Sequence, residues 1–275
     1  MTTRPILVLG ATGKTGSRIA NRLEQKGLSV RRGSRSATIP FDWEASDTWA
    51  PALDGVSSVY ISYYPDIAVP GAVETVAAFV EQARAAGVGK LVLLTGRGEH
   101  HAQRAEEVVR SSGLPFTIVR AAWFAQNFSE GALHETVMAG ILPMPGGEVR
   151  EPIVDVDDIA DVAVAALTES GHDGELYEVT GPRLMTFAEM AAELSVATGR
   201  QVTHLPISFE DFHAALLPVQ GAMIADVLTT IARETLDGRN AHLADGVARA
   251  LGRAPRDFTA FASDAAQAGA WADAA

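Results

Sequence analysis

Four apolar residues, Ile6-Leu7-Val8-Leu9, run directly into Gly10-Ala11-Thr12-Gly13-Lys14-Thr15-Gly16, and the stretch from Ser17 to Lys26 that follows reads as a helix. A strand, a tight glycine turn and a helix start, in that order, constrain the fold more than any other feature of the chain. The glycines let the backbone come close to a ligand, and the first N–H groups of a helix have no intrahelical acceptor. Such a unit seats an anion, above all the pyrophosphate of a dinucleotide. The spacing is G-x-x-G-x-x-G. Gly10, Thr12, Gly13, Lys14, Thr15 and Gly16 are therefore the expected cofactor cradle.

The pattern beyond the motif supports a doubly wound α/β fold of Rossmann type. Strands are expected at Leu28–Arg32, Val56–Ser62, Lys90–Thr95 and Pro115–Arg120, with helices at Gly71–Ala86 and His101–Ser111 between them. Short β-branched runs alternating with helices imply a parallel sheet covered on both faces. After Arg120 the pattern loosens. Trp123–Gly140 reads as a helix, Leu142–Val149 as a Pro/Gly-rich loop and Ile153-Val154 as a short strand. Asp155–Glu169 reads as a helix and Leu176–Thr180 as a strand. Thr186-Phe187-Ala188-Glu189 is a capping box opening a helix to Thr198, and Gln201–Leu205 reads as a strand. Helical segments from Phe209 to about Arg233 and a mobile tail from Ala262, apart from Trp271, complete the expectation. The division is a dinucleotide-binding domain over residues 1–150 and a smaller, intermixed C-terminal α/β part over 151–275. The latter should cover the carboxyl edge of the sheet and carry segments of the core sheet itself.

Composition narrows the functional classes. With 34 acidic against 22 basic residues the formal charge is -12, and no basic stripe is visible, so nucleic acid is not an expected partner. There is no cysteine, which excludes disulfides, thiolate metal sites and a cysteine nucleophile. No run is long and apolar enough for a membrane span, and the N-terminus lacks a signal-peptide pattern. A cytoplasmic location, a small-molecule substrate and a homodimeric assembly are expected. Asp155, Asp157 and Asp158 suit the N-terminus of a helix; no His or Cys accompanies them, and no metal is expected.

The second strand ends in Val30-Arg31-Arg32-Gly33-Ser34-Arg35-Ser36, where an NAD site usually carries an acid for the ribose hydroxyls. None is present. Arg35, with Ser34, Ser36 and Arg32 as neighbours, can instead hold a 2′-phosphate by charge-assisted hydrogen bonds, and NADP(H) is the expected cofactor. Asp42 and Trp43 follow the apolar segment Thr38–Phe41. That puts an acid at the end of a third strand, within reach of adenine, with Trp43 either lining that pocket or packing in the core. Tyr63, Thr95 and Gly96 stand at strand ends facing the same crevice.

With these residues in place the chain resembles the NmrA-like branch of the atypical short-chain dehydrogenase/reductases, almost end to end. The resemblance rests on the Gly10–Gly16 motif, Arg35, and the strand–helix unit from Lys90 to Ser111. It rests also on Arg120-Ala121-Ala122-Trp123-Phe124-Ala125-Gln126-Asn127-Phe128, on Val154–Ala160 and on Tyr177–Pro182. Phe41-Asp42-Trp43-Glu44, Tyr63-Tyr64-Pro65-Asp66 and Leu94–Glu99 look like the narrower group of ergot-alkaloid reductases and their bacterial relatives. The resemblance implies either a reductase or a regulator that binds the dinucleotide without turning it over.

The Tyr-x-x-x-Lys pair of ordinary short-chain dehydrogenases, in which the phenol delivers a proton, is absent. The only lysines are Lys14, Lys26 and Lys90. Hydride transfer to an iminium or similar cation needs no simultaneous proton. A quinone or polarised enone could take one from water, or from Tyr63, Tyr64 or His101; each of these three also has a bland reading, as packing or as a solvated helix start. Tyr64, Trp123, Phe124 and Asn127 are the expected substrate-facing residues, with the tryptophan and phenylalanine forming a flat apolar wall. The expected activity is reduction of a small apolar or aromatic acceptor by NADPH, with a non-catalytic redox sensor as the alternative.

Overall fold

The computed structural model describes residues 4–131 and 133–272. In chain order the elements are β1 (Ile6–Leu9), α1 (Lys14–Gln25), β2 (Val30–Gly33), α2 (Trp49–Leu53), β3 (Ser58–Ile61), α3 (Ala72–Ala85), β4 (Leu91–Gly96), α4 (His100–Arg110), β5 (Phe116–Ala121), α5 (Asn127–Glu130), α6 (His134–Met138), β6 (Ile141–Met144), α7 (Val156–Thr168), β7 (Glu175–Val179), α8 (Phe187–Thr198), β8 (Thr203–Pro206), α9 (Phe209–Gln220), α10 (Ala222–Thr235), α11 (Gly246–Leu251) and α12 (Phe258–Gln267). The main sheet is parallel with strand order β2-β1-β3-β4-β5-β7. The order reverses between β1 and β3, and in such sheets the ligand crevice lies outside the carboxyl ends at that point.

Each strand feeds two cores, because successive side chains point to opposite faces. Ile6 and Val8 pack with Ile19 and Leu23 of α1 and Ile159 and Ala163 of α7. Leu7 and Leu9 pack on the other face with Trp49, Val76, Phe79 and Val109 from α2, α3 and α4. A third core joins Leu142, Phe187, Leu194, Phe258 and Trp271 over the C-terminal part. The expected two parts are interleaved: β7 completes the main sheet, and β6 pairs with β8 in a separate two-stranded sheet.

Most N-terminal expectations hold within a few residues, but five readings along the chain are corrected. Thr38–Phe41 is not a strand. Its chain folds back so that the Phe41 N–H donates to the Ser34 carbonyl at 3.0 Å, and the third strand is β3. Trp123–Gly140 is not one helix. The Ala125 N–H and Trp123 carbonyl are bonded to the backbone of Val154 at 2.8 and 2.9 Å, which holds this segment extended before two short helices, α5 and α6. That pairing also leaves Ile153-Val154 as a single bridge instead of a strand. Leu142–Val149 is not all loop: its start belongs to β6, where Pro143 is tolerated because the sheet is only two strands wide. Nor does the tail begin at Ala262. Helix α12 runs to Gln267, and the buried Trp271 donates to the Phe128 carbonyl at 3.0 Å; the last residues of that expected tail, 273–275, lie outside the described residues.

The carboxyl ends of β4, β5 and β7 are tied by a charged network. The Glu106 carboxylate, 2% exposed, accepts from Thr95 Oγ1 at 2.8 Å and from Arg120 Nε at 2.8 Å. Arg120 Nη1 also donates to Glu178 at 2.9 Å, and Arg97 Nε donates to the same carboxylate at 3.3 Å. Removing one member of such a buried pair leaves the other without compensation. Glu106→Ala is expected to lower the free energy of unfolding by about 2–4 kcal/mol, as measured by urea denaturation with an unchanged m-value.

Candidate functional site

A single cleft of about 660 Å³ runs along the carboxyl edge of the main sheet. At its centre the turn between β1 and α1 closes tightly. Gly10 adopts a φ of +65°, which favours glycine, and a Cβ at Gly16 would lie 2.2 Å from the Gly10 carbonyl oxygen. Helix α1 can pack against the turn only because residue 16 has no side chain. Tyr60 Oη, buried in β3, donates to Thr15 Oγ1 at 3.0 Å and fixes the first turn of the helix to the sheet. The free N–H groups of that turn and the partly buried Lys14 therefore face the cleft. Burial lowers the Lys14 pKa below the ordinary lysine value, against a partial opposing effect of Glu130.

At one end of the cleft lie Ser34 and Arg35. Arg32 is not with them. It is bound to Glu24 at 2.7 Å and to Asn21 at 2.6 Å on α1, so it is spent on the helix. Arg35 forms no ion pair among the described residues; its guanidinium stands 5.5 Å from the centroid of the Tyr64 ring, which is 63% exposed. Ser36 is exposed and does not line the cleft, but its hydroxyl lies 3.5 Å from that of Ser34. Asp42 and Trp43 line the same end. Trp43 borders the cleft and is also core, with Nε1 donating to the Ser62 carbonyl at 3.2 Å and edge contacts to Phe41 and Phe79. Tyr63 packs on it at 4.8 Å between centroids.

The other end is walled by Trp123, Phe124 and Asn127, together with Leu228 and Ile231 from α10. Trp123 is held by a 3.0 Å hydrogen bond from Nε1 to Thr235 Oγ1. Tyr64, Thr95 and Gly96 also line the cleft, although the Thr95 hydroxyl is committed to Glu106. Three expected residues do not line it: Ser36 is exposed outside, Gly16 acts through packing, and His101 on α4 does not border the cleft.

Several lining residues carry no sequence signal of their own. Arg97, Glu99 and Asp66 are polar, and Leu228 and Ile231 come from a helix far along the chain. Glu99 fills the space above Gly96, where a Cβ would lie 1.7 Å from its carboxyl oxygen. Burial, aided by the negative charges of Asp66 and Glu234, pushes the Glu99 pKa up to about 8. Burial raises Asp66 as well, against a hydrogen bond from the Ala68 N–H. The acids stood in the sequence only within the segments Tyr63–Asp66 and Leu94–Glu99, with nothing there to mark their burial.

Comparison with known proteins fits this geometry. A family profile described as NAD(P)H-binding matches residues 10–170, more than half of the chain. The chain is 32% identical over 281 residues to the NAD(P)H azoreductase of Xenophilus azovorans, covering 94% of this chain and 96% of that one. It is 30% identical over 288 residues to festuclavine dehydrogenase of Aspergillus fumigatus, with 94% and 96% covered. Its fold superposes on Citrobacter triphenylmethane reductase complexed with NADP(H) with a TM-score of 0.74 at 22% identity, covering 95% and 99%. Because the Gly16 contact is to backbone, Gly16→Ala is expected to displace the turn. The expected result is a loss of about 1–3 kcal/mol of stability together with weaker dinucleotide binding, read by thermal melting and by fluorescence titration.

Proposed function

The chain belongs to the NAD(P)H-binding family of atypical, NmrA-like short-chain dehydrogenase/reductases and is an oxidoreductase; from that premise we propose that it uses NADPH to reduce a small apolar or aromatic acceptor. The observation that carries this reading is the two-ended cleft. One end offers an unpaired arginine beside a glycine-lined helix start; the other offers aromatic and aliphatic walls with open volume between them. A regulator that had only kept its dinucleotide seat would not need that second, open end, so the cleft favours catalysis over sensing.

The residues present fit the cofactor. The turn has no room for a Cβ at Gly16, so main chain stands where a pyrophosphate needs it, and Arg35 is free for a 2′-phosphate. Asp42 and Trp43 would border the adenine, and Tyr63 and Gly96 would border the remainder of the dinucleotide. Bound there, the cofactor supplies a hydride. Trp123, Phe124, Leu228 and Ile231 would hold a flat acceptor and exclude water from it, and Asn127 and Tyr64 would border it with polar atoms. Positioning and electrostatics then carry most of the rate. The azoreductase and festuclavine dehydrogenase relatives support an unsaturated nitrogen or a conjugated system as the acceptor.

The test pairs affinity with turnover. Arg35→Ala should raise the NADPH dissociation constant about 10- to 100-fold, the worth of one or two charge-assisted bonds to phosphate, and leave NADH binding within about twofold. Equal losses for the two would remove the phosphate assignment. Oxidation of NADPH at 340 nm should be seen with at least one azo dye, quinone, enone or cationic dye, and tight NADPH binding with no turnover across that panel would overturn the reading.

A further inference from the structure

Resting on that oxidoreductase reading, we propose that Glu99 is the proton donor for acceptors whose reduction needs a proton, replacing the absent Tyr-x-x-x-Lys pair. Its carboxyl lies in the cleft itself, in the space left above Gly96 at the exit of β4, on the crevice edge of the sheet. No ion pair among the described residues holds it as a carboxylate. Its charged surroundings are acidic: Asp66 approaches from the segment after β3, and Glu234 from α10 accepts from the His100 N–H at 3.3 Å. The cations nearby are committed elsewhere. Arg239, which reaches the Gly98 carbonyl, is bound to Asp237, and Arg97 is bound to Glu178. Two like charges beside a desolvated carboxyl favour its neutral form at neutral pH, as a general acid requires.

Arg97 does not supply the missing cation. It lines the cleft and is 3% exposed; its Nη2 has no hydrogen-bond partner among the described residues, and its Nη1 donates to the Asn240 and His242 carbonyls at 2.9 Å each. The acid it acts on electrostatically is the buried Glu151, and the charges that act on Glu99 are those of Asp66 and Glu234. With an azo acceptor the step balances. One N=N π bond breaks; one nitrogen takes the hydride of the reduced dinucleotide; the other forms an N–H bond as the Glu99 O–H bond breaks. The Glu99 carboxylate is then reprotonated by water entering the cleft.

Proton-requiring and proton-independent acceptors separate this role from a structural one. Wild type and Glu99→Gln would be assayed with NADPH from pH 6 to 10, using an azo dye or quinone and, separately, a cationic triphenylmethane dye, which needs only hydride. Expected is a fall of about 100-fold or more in kcat on the proton-requiring acceptor and a change within about twofold on the cation. The wild-type rate on the first acceptor should decline above about pH 8, where the acid is spent. That limb should vanish in Glu99→Gln and move to lower pH in Asp66→Asn, which removes a charge opposing ionisation. Infrared titration of the wild-type protein should show a protonated carboxyl band lost over the same range and missing from Glu99→Gln; NADPH titration confirms that the variants fold. Equal losses on both acceptors, no loss on either, or the absence of a Glu99-dependent carboxyl band would overturn the assignment. So would a wild type that reduces the cation alone. A wild type that binds NADPH and reduces neither acceptor overturns the oxidoreductase reading itself, and the proton role with it.

Discussion

The buried Glu106 carboxylate, with Arg120 and Thr95 on its oxygens, is the interaction on which the site's geometry depends. It joins α4 to the ends of β4 and β5, and through Arg120, Glu178 and Arg97 reaches β7 and the segment before α11. Charges this deep are tolerated only when each is paired, so the strand ends are held in one arrangement. The cleft opens over that arrangement. Its glycine turn is anchored separately, by Tyr60 on Thr15 and by the contact of Gly16 with the Gly10 carbonyl, so the turn and the strand ends beside Trp123 rest on different supports.

This separation gives the cleft its chemical character. Next to α1 are main-chain donors and an unpaired arginine, suited to phosphates. Next to β4, the charged groups are turned inward or desolvated: Arg97 is mostly satisfied by backbone carbonyls, and Glu99 and Asp66 have no cation of their own. Beside them, aromatic and aliphatic side chains from the segment after β5 and from α10 line the cleft, a setting of low polarity in which any polar contact is strengthened. A short-chain reductase fold without its usual tyrosine and lysine is thereby left with a cleft that positions and polarises.

Local patterns were legible where a residue's role is decided within a few neighbours. The seven-residue span from Gly10 to Gly16 demanded a tight turn before a helix, and Thr186 with Glu189 announced a capped one; both are found. The alternating runs Ile6–Leu9 and Leu91–Leu94 placed central strands. Patterns failed where long-range pairing overrode them. Trp123–Gly140 read as one helix, but its start is drawn into extended structure by Val154, and Leu142–Met144 read as the start of a loop until β8 supplied its partner. The sequence put Arg35 first as a phosphate ligand with Arg32 as a neighbour, and only folding brings Glu24 and Asn21 against Arg32. Tyr63 and Tyr64 likewise diverge, one packed on Trp43 and the other out in solvent.

By itself the sequence determined the α/β class, the dinucleotide seat and the lack of an ordinary catalytic pair, because each follows from residue types at short, fixed spacings. The tertiary structure alone decided which arginine is free, which aromatic residues face the cleft, that α10 closes one wall, and that Glu99 meets Asp66 and Glu234. Desolvation and charge repulsion depend on what surrounds a group in space, and those surroundings come from segments more than a hundred residues apart in the chain.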